Sequence, residues 1–416
     1  MDIFIEIFRP IFTILGYLDW VIFIAITFGL FYMGRSIFLY ASQLKYKKNI
    51  DWVLLEIRIP RAIEKGPKAM ESFYSALYGL RNSPDKWSEI YLDGEVTRPF
   101  SMEIFAKKNS TRLFVRTPRG LKPAVISMIY AQYPDVQIAD TDDYMNEFPD
   151  NFDDLATLGY DIAGAEMILD KDSAYPISSY ETSESKEGDV RIIDSMALML
   201  ELLGRLNDNE YVAMQFIIAP ENDDWKKESE KIVKEIKEKE QKATKEGGQT
   251  TRTPGEEARL KQIERKRVKN GFRTMIRYLY VAPKGSFNKD YSGRALPTFF
   301  TQFANDTNKF KKNGAVGLNS DWQNYPYFFL HKKTVPQKKD FLWHWYRKRA
   351  LPEKSFAGKL FNSSFLCFFG FKTKTIILNT EELATIFHLP TNAVLTAPVM
   401  KRVESKTLPP PPSLPK

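Results

Sequence analysis

The chain reads as an α/β (α+β) protein, with an N-terminal transmembrane helix followed by tandem ferredoxin-like βαββαβ-type units. Three observations predict this. The run from Ile11 to Gly34 is apolar except for one charged side chain, Asp19. Beyond it, hydrophobic spacing switches repeatedly between the period of two of a strand and the three-to-four of a helix. Four strand-to-helix corners share one device, a proline at Pro60, Pro118, Pro220 and Pro283, which has no N–H to extend a ladder.

The apolar run comes first. As a helix it reaches about 36 Å, against a hydrocarbon core of about 30 Å. It is long, aromatic and followed at once by Arg35, so it reads as a retained anchor and not as a signal peptide. Arg9, with Asp2 and Glu6, precedes it, whereas Arg35, Lys45, Lys47 and Lys48 follow. That asymmetry predicts a single-pass cell-membrane protein with its N-terminus outside and its C-terminal bulk cytoplasmic. Asp19 is either a functional carboxylate or, more blandly, a group that local thinning or rotation brings to water.

Residues 1–50 are thus anchor and juxtamembrane segment, and 51–140 the first unit. Leu55, Ile57 and Ile59 alternate with Glu56 and Arg58 in a strand that stops at Pro60. Ala69, Met70, Phe73, Ala76, Leu77 and Leu80 form one helical stripe. Phe100–Ala106 and Thr111–Thr117 flank a polar loop of hairpin length, a helix is expected from Leu121 to Tyr130, and Val136–Ala139 closes the unit.

Residues 141–160 read as an acidic linker. Asp140 to Asp154 holds seven carboxylates and no base, and Met145 stands where a calcium-binding EF-hand loop needs glycine. The second unit, 161–320, has expected strands at Ala165–Leu169, Val212–Ala219, Phe272–Ala282 and Ala315–Leu318, with helices at Ile192–Leu206 and Ala295–Asn305. Its insertion, 222–270, is rich in Lys and Glu and reads as two solvated helices with a flexible tip; a coiled-coil partner site is the sharper alternative.

The segment 321–400 carries the charge. Between His331 and Lys374 eleven Lys or Arg face only Asp340 and Glu353, a surplus larger than the +8 of the whole 416-residue chain. Lys338, Lys339, Trp343, Trp345, Tyr346, Arg347, Lys348 and Arg349 interleave cations with aromatics. Two uses fit, an interfacial segment on anionic lipid or a groove for nucleic-acid phosphates and bases; a plain solvated helix is the third reading. Phe365–Phe371 is too short to span and reads as buried strand. Asn379 and Glu382 have capping-box spacing after the strand Ile376–Leu378. The tail, 401–416, contains Pro409–Pro412 and Pro415 and reads as polyproline II, a stiff spacer or a ligand for an aromatic groove.

Several chemistries lack their usual signatures. There is no Gly-x-x-x-x-Gly-Lys-Ser/Thr loop, no His-x-x-x-His pair among His331, His344 and His388, and no Gly-x-Ser-x-Gly elbow. The single cysteine, Cys367, sits among Phe365, Leu366, Phe368 and Phe369 and reads as core packing, which excludes a disulfide framework. No catalytic, cofactor or metal residue is therefore expected.

The stretches Trp52–Pro60 (WVLLEIRIP), Ile129–Ile138 (IYAQYPDVQI), Arg277–Lys284 (RYLYVAPK), Ile377–Pro390 (ILNTEELATIFHLP) and the closing PPPPSLP resemble an uncharacterised family of single-span bacterial membrane proteins from candidate phyla. Similar regions precede the motor domain of type IV secretion and conjugative coupling ATPases. The resemblance implies a place in a DNA- or protein-transfer machine, with the motor on a separate subunit. The expected function is a non-catalytic scaffold or docking subunit that tethers a secretion-system ATPase or substrate at the cytoplasmic face of the lipid bilayer. The alternative is a membrane-tethered nucleic-acid binder using residues 331–349.

Overall fold

The computed structural model describes residues 2–60, 65–82, 84–181, 194–245, 254–313, 331–353, 355–361 and 373–391. The strand expected at 315–318, the apolar run 365–371 with Cys367 and the proline-rich tail lie outside the described residues. The described chain falls into two compact units.

The smaller unit combines residues 1–50, 83–96 and 352–368. Helix α1, Asp2–Lys48, is unbroken. Within it Trp20–Lys48 is long and apolar enough to cross a membrane, with a mean hydropathy of 1.8 and only 6% of its most apolar stretch buried. Every residue from Trp20 to Arg35 is exposed, so among the described residues most of the apolar surface that burial would otherwise favour is left uncovered.

Among the described residues of the larger unit, nine strands form a single antiparallel sheet. They are β1 (Trp52–Arg58), β2 (Phe100–Lys107), β3 (Ser110–Pro118), β4 (Gln137–Thr141), β5 (Tyr160–Leu169), β6 (Tyr211–Pro220), β7 (Gly271–Pro283), β8 (Phe310–Lys312) and β9 (Ile376–Asn379). The order is β4-β1-β3-β2-β6-β7-β5-β8, with β9 paired to β7. The strands of 51–141 and of 160–312 are continuous because Phe100–Lys107 runs antiparallel to Tyr211–Ile218. The hairpin loop between β2 and β3 turns at Asn109, whose φ of 56° suits the local hydrogen bonding of asparagine.

Alternation puts two sets of side chains on two faces. On the first face Leu55, Ile57, Met102, Ile104, Leu113, Val115, Met214, Phe216, Ile276 and Tyr278 join one core. Helices α2 (Pro67–Tyr78), α4 (Lys122–Gln132), α6 (Met196–Leu203) and α11 (Thr380–Ile386) supply its covering side chains, among them Phe73, Ile129, Met199 and Leu383. A helical stretch at 291–303 adds Leu296, Phe299 and Phe303. The expected helical stripe of 69–80 lands here.

The second face is covered by α5 (Phe152–Thr157) and α9 (His331–Lys348). Tyr144, Met145, Phe152, Leu155, Leu342, Trp343 and Tyr346 join Phe105, Phe114 and Leu279 in a separate core. The acidic stretch 140–154 is thus partly packed layer: its aromatics and aliphatics point inward while Asp153 and Asp154 face water. Close approach is built into β5, where a Cβ on Gly164 would stand 2.4 Å from the Tyr278 carbonyl oxygen and 3.0 Å from Leu342.

The charged insertion forms α7 (Lys226–Lys245) and α8 (Pro254–Val268). They share a small cluster of Val233, Leu260 and Ile263. The remaining two helices, α3 (Trp87–Tyr91) and α10 (Phe356–Phe361), belong to the smaller unit.

Candidate functional site

The second face of the sheet carries polar side chains at its centre. Glu103 on β2, Gln215 on β6 and Arg277 on β7 are fully buried, and Glu166 on β5 is 1% exposed. In the sequence these positions alternate with apolar ones, as they would in a strand with a wet face. What dries them is α9 with the residues just after it.

Their hydrogen bonds come from the end of α9, the residues that follow it and the strands, while Gln215 Oε1 and Arg277 Nη2 have no partner among the described residues. Gln215 donates from Nε2 to the Tyr346 carbonyl at 3.0 Å, and Arg277 donates to the carbonyls of Trp345 at 3.2 Å and Ala350 at 3.3 Å. These are carbonyls at the C-terminal end of α9, where the helix leaves acceptors unpaired and its dipole favours cations. Arg277 also donates to Glu166 at 3.0 Å, and Asn313 donates to the same carboxylate at 3.2 Å. Burial raises the Glu166 pKa and the Arg277 charge only partly offsets it.

Arg349 closes the helix in the left-handed region, at φ 49°, a conformation that costs a non-glycine residue about 1–2 kcal/mol. Its side chain explains why arginine stands there. The guanidinium donates to Glu103 at 2.7 and 3.0 Å and to Asp143 at 2.6 and 2.8 Å, a fork that lysine cannot reproduce. Burial alone would lower the Arg349 pKa, but the charges of Glu103 and Asp143 hold it well above the ordinary value. Tyr144 donates to Glu103 at 2.7 Å and lies 3.1 Å from the Tyr346 hydroxyl. Both phenols are pushed far up, first by burial and then by neighbouring charge or phenol.

Beside this network an open cleft of about 590 Å³ lies where β1, β3 and β4 meet, lined by Trp52, Arg116, Arg119 and residues 140–143. Arg116 rests on the Trp52 ring, 4.1 Å from its centroid. Burial, then the charge of Arg349, lowers its pKa to about 10. Near it Arg119 pairs with Asp51 and Lys122 with Asp140, both at 2.6 Å. Among the described residues no group of three or more His, Cys, Asp or Glu is placed to hold a metal ion.

The eight residues singled out in the sequence thus sit on or just after one helix, and the structure shows what each touches. Lys338 is buried, which lowers its pKa. Lys339 pairs with Asp161. Trp343 is fully buried and donates to the carbonyls of Pro149 at 3.2 Å and Asp150 at 3.0 Å. Trp345 lies between Arg277 at 5.9 Å and Lys348 at 4.9 Å. Tyr346 meets Tyr144, Arg347 donates to the Met145 carbonyl at 2.6 Å and to Asp150, and Arg349 completes the network. Lys339, Arg347 and Arg349 therefore direct their charge at the body of this unit.

Two further clusters had only a faint signal in the sequence. The capping box forms as its spacing predicts: Asn379 accepts from the Glu382 N–H at 2.8 Å and Glu382 accepts from the Asn379 N–H at 3.0 Å. Glu382 also pairs with Lys266 at 2.9 Å, both almost fully buried, while Glu381 meets Lys269 at 2.7 Å and Arg265 at 3.3 Å. These pairs pin α11 to the end of the charged insertion. The second cluster is His388 with Asp194, which no spacing could reveal. The imidazole Nε2 lies 2.9 Å from Asp194 Oδ1 and Nδ1 lies 2.9 Å from the Ala384 carbonyl.

Burial would raise the Asp194 pKa, but hydrogen bonds from His388 and from the Thr391 and Met196 N–H groups hold it down to about 2. A depressed carboxylate stabilises the fold above its unfolded value, near 4, and loses that contribution as pH falls through its folded value. Acid titration followed by circular dichroism should show a loss of about 2 kcal/mol between pH 4 and pH 2 that Asp194→Asn abolishes. An unchanged acid limb in that variant would remove the assignment.

No curated protein and no solved structure matches the chain. A family model does, over residues 39–294, and this stretch runs from the end of α1 through β7. Because it covers more than half of the sequence, the chain belongs to the family described as domain of unknown function DUF8128.

Proposed function

We propose that the protein is a membrane-anchored scaffold whose sheet unit docks a partner at the cytoplasmic face. One observation carries this: among the described residues the apolar surface of α1 is left largely uncovered, while in the sheet unit Glu103 pairs with Arg349, Glu166 with Arg277 and Glu382 with Lys266. Such a chain gains by placing that apolar surface in lipid. Tethering raises the effective concentration of a partner held nearby, so modest contacts suffice. The positive charge after the span supports an outside N-terminus.

The finer reading follows the sequence resemblance. The strands of 51–141 are ordered 4-1-3-2 and those of 160–312 run 2-3-1-4, which supports tandem ferredoxin-like units joined through their second strands. The resemblance to the non-motor region of type IV secretion and conjugative coupling ATPases supports a docking role in a transfer machine with a separate motor. Crosslinking of the full chain in native membranes, with identification of the bound species, tests this. Retention through alkaline extraction and capture of a Walker-motif ATPase is the expected result. Recovery in the soluble fraction would sink the anchor, and crosslinks to nucleic acid through residues 331–349 would replace the docking reading with the rival one.

A further inference from the structure

The smaller unit holds two short helices against the end of the apolar helix, and their exposed faces are aromatic. Tyr32 meets Phe356 at 6.1 Å between ring centroids, and the Ser36 hydroxyl accepts from the Ala357 N–H at 2.8 Å. Arg35, the first charge after the apolar run, lies over two rings, Tyr32 at 5.6 Å and Tyr91 at 5.8 Å. Further along, Gly94 at φ +66° abuts the backbone of Ser42 so closely that a Cβ would stand 2.2 Å from it. Tyr46 donates to Glu95 at 3.4 Å and Lys47 pairs with Glu353 at 2.7 Å. These contacts fix the axial level of both segments on α1.

At about 1.5 Å per residue, the levels of Tyr32 and Ser42 differ by about 15 Å. The upper level coincides with the end of the apolar run, where hydrocarbon gives way to headgroups. There the two helices expose Trp87 at 65%, Leu92 at 59% and Phe356 at 47%. Trp87 stacks on Tyr91 at 5.4 Å, which stiffens the pair. Exposed charges on the same unit include Lys45, Lys48, Lys86 and Lys359, with Asp85 and Asp93 beside them. Apolar and aromatic side chains beside a span, with cations around them, have the composition of a membrane-interface surface.

We propose that residues 84–92 and 355–361 form an interfacial collar on α1, with Trp87, Leu92 and Phe356 entering the headgroup boundary of the same leaflet that α1 leaves. The occupant is the bilayer, because the surface is continuous with the span itself and sits at the level where the span ends. The collar rests on the membrane-anchor reading and adds a second contact that resists tilt and withdrawal of α1.

The test uses the full chain with Cys367→Ser, reconstituted into phosphatidylcholine–phosphatidylglycerol vesicles whose acyl chains are brominated near the headgroups. An environment-sensitive fluorophore is attached singly through Trp87→Cys, Phe356→Cys, Phe28→Cys or Val268→Cys. Loss of fluorescence at 28, 87 and 356, with none at 268, is the expected result, and aqueous iodide should quench only 268. Quenching by bromine at 28 but not at 87 and 356 would overturn the collar and leave the anchor standing. No quenching at 28 would overturn the anchor, and the collar with it.

Discussion

Replacing Trp343 by alanine should destabilise the full chain in detergent by about 3–5 kcal/mol, read as a shift in the urea midpoint at unchanged slope. The indole is fully buried, packs edge-on against Phe148 at 5.8 Å and donates to two carbonyls of the 149–150 turn. Removing it opens a cavity between α9 and the sheet and orphans those acceptors. Trp343→Phe retains most of the volume and loses only the hydrogen bonds, so it should cost about 1 kcal/mol. A neutral effect on stability combined with lost lipid or nucleic-acid binding would mean that the indole faces a ligand, as its neighbours in sequence first suggest.

The second large effect belongs to Arg349. Arg349→Met leaves Glu103 fully buried without its cation and frees Asp143, and breaking a buried pair in this way costs about 3–5 kcal/mol. Arg349→Lys retains the charge but not the fork, and should fall between. Arg349→Gly separates backbone from side chain: it relieves the positive φ and still loses the pairing, so it too should be destabilised. Adding Glu103→Gln to Arg349→Met removes the stranded charge and should recover part of the loss. If the double variant is no more stable than Arg349→Met, the pairing is not what holds the segment to the sheet.

Much of the fold is legible locally. Strands β1, β2, β3, β6 and β7 lie where alternation and proline place them, because period and corner are properties of adjacent residues. The helix Pro67–Tyr78 follows its stripe and the box at Asn379 forms as spaced. Strand β5 begins five residues earlier than its apolar run, since Tyr160, Asp161 and Ile162 pair with Pro283, Ala282 and Val281 regardless of hydropathy. The irregular helix at 291–303 likewise shows only as a general helical tendency.

The candidate site was legible in composition but not in arrangement. The residues of 338–349 announce themselves as cations among aromatics, and nothing within that segment reveals that Glu103, Asp143, Asp150 and Asp161 would await them. Glu103 and Arg349 are separated by most of the chain. His388 and Asp194 are a similar case, each unremarkable until folding makes them neighbours.

What the sequence determined by itself is the apolar helix, the strands β1, β2, β3, β6 and β7 and the helices on the first face, because each follows from the spacing of neighbouring side chains, whereas β8 at 310–312 does not. Only the tertiary structure decided that the polar face of the sheet is an interior. Pairing of charges depends on distance and dielectric in three dimensions, so the same alternation that signals a wet strand locally becomes a buried polar layer once neighbouring strands pair Arg277 with Glu166 and a remote segment brings Arg349 to Glu103.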